Sequence, residues 1–341
     1  MKIILSYKRP MKYLQLLILL VLLSYCKTGP VDDIFLYREA ISFAVGDHLV
    51  PGKKVKCLEV VDNNTYSWSS GPEIFIRTRG QESHEELTSE VLCIARNPID
   101  QSLWAGTYSS GLARISNGEV TYFTKEKDGL PRDLIFHIAC DSRGRVWFNS
   151  SAHLLGGLGC FSDGTFQFFT PDNSILPDNL IKDIACSAEN VFVATGGTVT
   201  QQKVVKISNG EWMLLPIEGY YLMDMDISKK GTLYVIDDVS LSSLATMTNK
   251  IFRFRNDIVV NILPEESRFY SHPYRLMADL RDYLWLAKFS SGDSQNLAVF
   301  DGERWQEPPE GFPDILINHM AVDRSNAIWL ATTNGIYILP Q

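Results

Sequence analysis

Seven aromatic residues recur along this chain at nearly even intervals, each at the same place in a weakly repeated stretch. They are Trp68, Trp104, Trp147, Phe192, Tyr234, Trp285 and Trp329, separated by 36, 43, 45, 42, 51 and 44 residues. The clearest copies are LCIARNPIDQSLWAGTYSSGLARISNGEVTYF, HIACDSRGRVWFNSSAHLLGGLGCFSDGTFQFF and HMAVDRSNAIWLATTNGIYIL. The copy around Trp68 is the most degraded. A unit this short cannot bury its apolar face alone, so successive units must pack on one another.

Each copy separates into the same pieces. Ile135 to Cys140 is an apolar inner strand. Asp141-Ser142-Arg143-Gly144 is a tight turn, where Asp bonds its own backbone and Gly supplies a positive φ. Val146-Trp147-Phe148 opens the aromatic strand, and a small-residue link such as Gly106-Thr107 or Ala331-Thr332 follows that strand. Gly111 to Ile115 is a third strand. Asn117-Gly118, Asp163-Gly164, Asn209-Gly210 and Asp301-Gly302 then mark hairpin turns. Val120 to Phe123 alternates as a half-exposed outer edge does. Four strands at a period in the low forties predict a propeller blade. The predicted fold is therefore all-β, a seven-bladed β-propeller of four-stranded blades over residues 41–341. A six-bladed ring is the alternative, if the copies around Trp68 and Tyr234 are not full blades.

Closure points the same way. The last copy stops after its third strand, at Ile338. Residues 40–60, AISFAVGDHLVPGKKVKCLEV, match the passage VTYFTKEKDGLPRDLIFHIAC between two interior blades. Ile41 to Val45 is thus expected to supply the missing outer strand. The ring then closes by pairing the two ends of the chain, which leaves no open edge.

Asp141 to Trp147, Leu103-Trp104-Ala105-Gly106-Thr107 with Gly111-Leu112, and Asp128-Gly129-Leu130-Pro131 together resemble the two-component regulator propeller repeat. The resemblance covers nearly all of residues 41–341. It implies an extracytoplasmic sensor-type propeller, and several members of that family are associated with glycan sensing. No membrane helix or kinase follows the repeats in this sequence. What the resemblance implies is the fold and a ligand-binding habit rather than signalling catalysis. It supplies no catalytic residues.

Residues 1–26 read as an export signal. Lys2, Lys8, Arg9 and Lys12 precede an apolar run from Leu14 to Leu23, broken only by Gln15. That run is shorter than the roughly 20 residues a membrane span needs and fits a secretory signal, with Met11 an alternative start. Leu23-Ser24-Tyr25-Cys26 resembles the lipobox of bacterial lipoproteins, with Tyr25 where a small residue is usual. The resemblance implies a lipid on Cys26, exposure at the cell envelope, and membrane contact through that anchor alone. Plain cleavage with Cys26 incidental is the alternative. Residues 27–40 form a short linker. The other five cysteines cannot all pair, and none has zinc-site spacing. Cys140 and Cys186 occupy matched contexts and read as small buried strand residues. Lys plus Arg total 32 against 40 Asp plus Glu, a net charge of −8 that argues against a nucleic-acid partner.

Propellers commonly bind ligands at the mouth of the central channel. Counting two residues before a recurring Ala gives a ring of Leu58, Cys93, His137, Asp183, Asp224, Leu276 and His319. His137, Asp183, Asp224 and His319 are the candidate ligand-binding residues. Such a ring can hold a divalent cation or polyol hydroxyls, or simply face water. No other cofactor is expected. A second lead is the group of aromatics near outer strands and long links: Trp212, Trp305, Tyr220, Tyr221, Phe269, Tyr270 and Tyr274. Two inserts, Asp237 to Thr248 and Leu263 to Tyr274, add loop length where function tends to gather. The Asp141 turn carries one residue more than the sialidase-type Asp-x-Gly-x-x-Trp motif, and no Gly-x-Ser-x-Gly elbow or His-x-x-x-His pair occurs. Three functions fit: a non-catalytic propeller binding a glycan or other small polar ligand, a scaffold for a protein partner, and a lyase or glycosidase, since propeller folds also host enzymes.

Overall fold

The computed structural model describes residues 41–150, 156–197, 201–239, 249–263, 273–288, 296–308, 312–313 and 315–341. The export signal, Cys26 and the linker lie outside the described residues. Residues 42–341 form one compact unit.

The described strands form seven antiparallel four-stranded sheets arranged in a ring. Their inner strands are Leu58–Asp62, Val91–Arg96, Ile138–Cys140, Ile181–Cys186, Leu222–Ile227, Pro273–Ala278 and Ile317–Val322, which number blades 1 to 7. The copies around Trp68 and Tyr234 are both full blades, so the six-bladed alternative falls. The one short helix among the described residues, Lys125–Asp128, is capped by the Thr124 side chain and by Gly129 in the left-handed region. No helix among the described residues is long and apolar enough to cross a membrane.

The aromatic strand holds each blade to the next. Trp104 packs with Ile135, Val146 and Phe148 of blade 3, and Trp147 with Ile181 and Val193 of blade 4. Phe192, Tyr234 and Trp329 pack likewise on the following blade. Each such ring buries enough apolar area to contribute about 2–3 kcal/mol. Trp68 differs. It pairs with Leu58, whereas Trp104 pairs with Ala95. Ser67 takes the repeat position in blade 1, and Trp68 points the other way, into the cluster around Trp329. A shift of one residue on a strand exchanges its faces.

Asp-x-x-Gly-x-Val-Trp proves to be a structural anchor. Asp141 Oδ1 accepts the N–H groups of Arg143 and Arg145, and Oδ2 accepts the Trp147 indole N–H at 3.0 Å. Asp279 with Trp285, and Asp323 with Trp329, repeat the arrangement at 3.3 and 3.1 Å. In blade 2 the indole of Trp104 donates to Ser102 Oγ instead.

Three expected hairpins have both central residues at positive φ: Asn117-Gly118, Asp163-Gly164 and Asn209-Gly210. Asp301-Gly302 does not. There the turn runs to Arg304, whose N–H bonds Asp301 Oδ1, and the outer strand shrinks to Trp305–Gln306. The ring closes through the N-terminal segment, but through Asp47–Leu49 rather than Ile41 to Val45. Residues 50–57 join this strand to blade 1, whereas residues 124–137 make the corresponding passage from blade 2 to blade 3. The shorter passage moves the strand toward blade 1. Asp47 pairs with Ile338, His48 with Tyr337, and Leu49 with Ile336. Ser42 and Gln341 exchange two further hydrogen bonds.

Candidate functional site

The inner strands surround a cavity of about 610 Å³ along the ring axis. At one end each inner strand is preceded by, or begins with, a buried apolar residue: Val55, Val91, Ile135, Ile181, Leu222, Pro273 or Ile317. Side chains two residues further on line the cavity: Cys57, Cys93, His137, Asp183, Asp224, Arg275 and His319. All four candidate residues therefore meet at one mouth. Two members of the expected ring are corrected. Leu58 and Leu276 belong to the blade cores, and Cys57 and Arg275 hold their places. The sequence alignment took Ala278 as its anchor, but Met277 is the residue opposite Trp285. In blade 1 the displaced aromatic misplaced the register in the same way.

These side chains reach sideways to the next blade. Cys57 Sγ donates to the Leu92 carbonyl at 3.0 Å. His137 Nδ1 lies 2.9 Å from Asp183 Oδ1. Asp183 Oδ2 accepts the Met225 N–H at 2.6 Å, and Asp224 Oδ2 accepts the Leu276 N–H at 2.7 Å. Arg275 Nη1 lies 3.2 Å from Asp224 Oδ1, and Nε donates to the Asn318 carbonyl. His319 breaks the pattern. Its Nδ1 is enclosed and makes no hydrogen bond among the described residues.

Environment sets the charges. Burial disfavours the Asp183 carboxylate, yet the His137 hydrogen bond and charge, with the N–H groups of Ile184 and Met225, hold it below the usual range. Burial pushes Asp224 up, Arg275 opposes this, and Asp183 and Asp226 add to it. Burial pulls His319 down to about 4, and neighbouring Arg275 pulls the same way. His319 is therefore neutral at pH 7. Burial pushes Cys57 up to about 11 and Cys93 well above its usual value, so neither thiol is an ionised nucleophile.

One step deeper, about 6.6 Å along each strand, sequence reasoning missed two acids. Ala95, Ala139, Ala185 and Ala321 occupy this level in four blades, but Glu59 and Asp226 stand there in blades 1 and 5. Both line the cavity. Burial raises Glu59 to about 7, with Arg96 opposing, and raises Asp226 to about 6, with the Ala278 and Ile227 N–H groups opposing. The break in an otherwise repeated Ala was the available signal. Among the described residues, no three His, Cys, Asp or Glu side chains converge as a metal cage.

Of the aromatics the sequence suggested, one, Tyr274, lines this cavity among the described residues. Trp212 packs on Phe169, and Trp305 packs on Phe300 and donates to the Ile262 carbonyl. Tyr221 lies under the Lys182 ammonium, and Tyr274 lines the cavity. Phe269 and Tyr270 lie outside the described residues, as do positions 240–248 and 264–272 of the two inserts. Phe136, 45% exposed, lines the cavity beside His137. Tyr108, 61% exposed, follows Thr107, whose carbonyl accepts the N–H of Ile135. The Phe136 ring stands uncovered at this mouth.

No family profile matches the chain, and no curated protein matches it in sequence. Solved structures do match in shape. The extracellular domain assigned to a hybrid two component system of B. thetaiotaomicron superposes with a TM-score of 0.62 at 12% identity, over 84% of this chain and 40% of that one. Virginiamycin B lyase of Staphylococcus aureus gives 0.66 at 14%, over 86% and 97%. PorZ, a surface component of the type-IX secretion system of Porphyromonas gingivalis, gives 0.58 at 12%, over 82% and 45%. The chain spans less than half the length of the first and third. At such identities the likeness is one of fold.

Proposed function

We propose that this chain is a non-catalytic, sensor-like binding propeller that works outside the cell membrane, held there by a lipid on Cys26. Its ligand is a glycan or another small polar molecule seated at the channel mouth. The observation that carries this reading is the convergence of His137, Asp183, Asp224, Arg275 and His319 at one end of a 610 Å³ cavity that Tyr274 and exposed Phe136 also line. Polar side chains beside uncovered aromatic faces suit a sugar, which offers hydroxyls at its edge and C–H groups on its face. The extracellular sensor domain among the fold neighbours supports the same assignment, and the lyase neighbour shows that the fold tolerates the alternative.

Thermal-shift screening of the purified exported protein against neutral and acidic oligosaccharides tests this. A ligand at 100 times its Kd adds about 2.7 kcal/mol, which raises Tm by about 4 °C in a ring of about 300 residues. Loss of the shift in Phe136→Ala and Asp224→Asn places the ligand at this mouth. A shift unchanged in both variants refutes the location, and no shift with any sugar refutes the glycan class.

A further inference from the structure

We infer that the seam between blades 7 and 1 holds a second binding site, which takes a flat apolar ring bearing one carboxylate. The closing strand of blade 7, Asp47–Leu49, is three residues long, and the chain leaves it through Val50 at a φ of 45°. Across the seam, Trp68 of blade 1 points toward blade 7, and Tyr66, two residues earlier on the same strand, shares that face. Phe75 lies opposite Trp68 and stacks on it, with ring centres 4.0 Å apart. The short closing strand leaves part of this aromatic wall open. The opening is a cavity of about 300 Å³ lined by Val50, Lys53, Tyr66, Trp68, Phe75 and Arg77, with Glu82 beside Arg77. It shares no lining residue with the channel cavity.

An apolar, aromatic wall with a few polar groups at its edge is the usual form of a small-molecule site. An apolar cavity of about 150 Å³ holds benzene, so one of about 300 Å³ takes a bicyclic ring with a short side arm. The charges set what that arm carries. Arg77 gives Nη1 to Glu82 at 3.1 Å, and its guanidinium lies 5.9 Å from the centre of the Tyr66 ring. Lys53 is exposed and makes no ion pair among the described residues. Glu82 alone faces these two cations, which leaves one positive charge unmatched at the edge of the cavity. Glu73 and Glu86 pair with one another in the register further along the strands, but neither lines the cavity, and Glu73 is held by His84 at 3.3 Å. A ligand carboxylate completes the set, a neutral ring leaves it incomplete, and an ammonium opposes it.

The test is calorimetric titration of the exported protein with indole-3-acetate, indole and tryptamine, three probes with one ring and different charge. Indole-3-acetate is expected to bind once per chain and about tenfold more tightly than tryptamine, with indole between them. Lys53→Glu alters an exposed side chain, so Tm is expected to hold while the preference for the acid is lost. Trp68→Leu opens the wall and is expected to weaken all three probes about tenfold or more. Because Trp68 is a core ring, that variant can also lose stability, and the Lys53→Glu result decides the matter on a fully folded protein. Absence of indole-3-acetate binding, equal binding of the three probes, or a preference for the acid that survives Lys53→Glu overturns the inference. Each of these outcomes leaves the channel mouth, probed with sugars, standing.

Discussion

The Asp323 turn gives the sharpest test of how the repeat is held together. Asp323 is 3% exposed, and its Oδ1 accepts the N–H groups of Ser325 at 2.8 Å and Ala327 at 2.9 Å. Oδ2 accepts the indole N–H of Trp329, which is 1% exposed. Asp323→Ala strands that indole donor, at about 1–3 kcal/mol, and returns two turn N–H groups to water at about 0.5–1 kcal/mol each. The expected loss is about 3 kcal/mol, or roughly 5 °C in Tm at 2.1 cal/mol/K per residue. Asp323→Asn keeps the Oδ1 acceptor but turns an amide N–H toward the indole, so about 2 kcal/mol is expected. Asp100 supplies the control. Its side chain is 41% exposed, and the Trp104 indole bonds Ser102 rather than Asp100. Asp100→Ala breaks bonds to Ser102 and Arg114 at a half-exposed carboxylate but strands no indole donor, so it should cost less, about 1–2 kcal/mol. Calorimetry on the three variants reads the difference. If Asp323→Ala melts no lower than Asp100→Ala, the carboxylate is not the anchor of the aromatic strand.

Other consequences follow from the channel. Glu59, raised to about 7 from an ordinary 4.5, holds its proton more tightly folded than unfolded. Its contribution therefore falls as pH rises from about 4.5 to 7 and is level above that, a loss of about 3 kcal/mol. Glu59→Gln should remove that fall, and urea titrations at pH 5 and pH 8 would show it. Gly106→Ala should be strongly destabilising, by about 2–4 kcal/mol. A Cβ there meets Cys93 Sγ at 2.5 Å and the Ile135 carbonyl oxygen at 2.8 Å, whereas Gly118→Ala meets nothing and carries only the strain of its positive φ. Burial raises all five described thiols, so Ellman's reagent at pH 8 should label none of Cys57, Cys93, Cys140, Cys160 and Cys186 quickly until denaturant is added.

The blade count, the strand order and closure through the N-terminus were legible because period, turn chemistry and aromatic spacing reported on one packing unit. The candidate site was legible in part. His137, Asp183, Asp224 and His319 emerged because their blades keep the Ala anchor or its spacing. Arg275 was lost because Met277 occupies the anchor place, so a count from Ala278 fell one residue late, on Leu276. Glu59 and Asp226 were visible as letters, but their significance comes from burial.

The closing strand also sets a timetable. Ser42 and Gln341 are bonded across 299 positions of chain. At about 5–20 residues per second, the first strand synthesised waits roughly 15–60 s for the partner that completes its blade. Most chains with so distant a pairing would hold a sticky ribbon in reserve, exposed to neighbours during the delay. Here the waiting segment is three residues long and begins Asp47-His48, both exposed even in the finished ring. A charged, short ribbon is a poor template for a stranger. The latch of the ring is thus built from material that can idle safely, and the six blades between its halves can assemble before it engages.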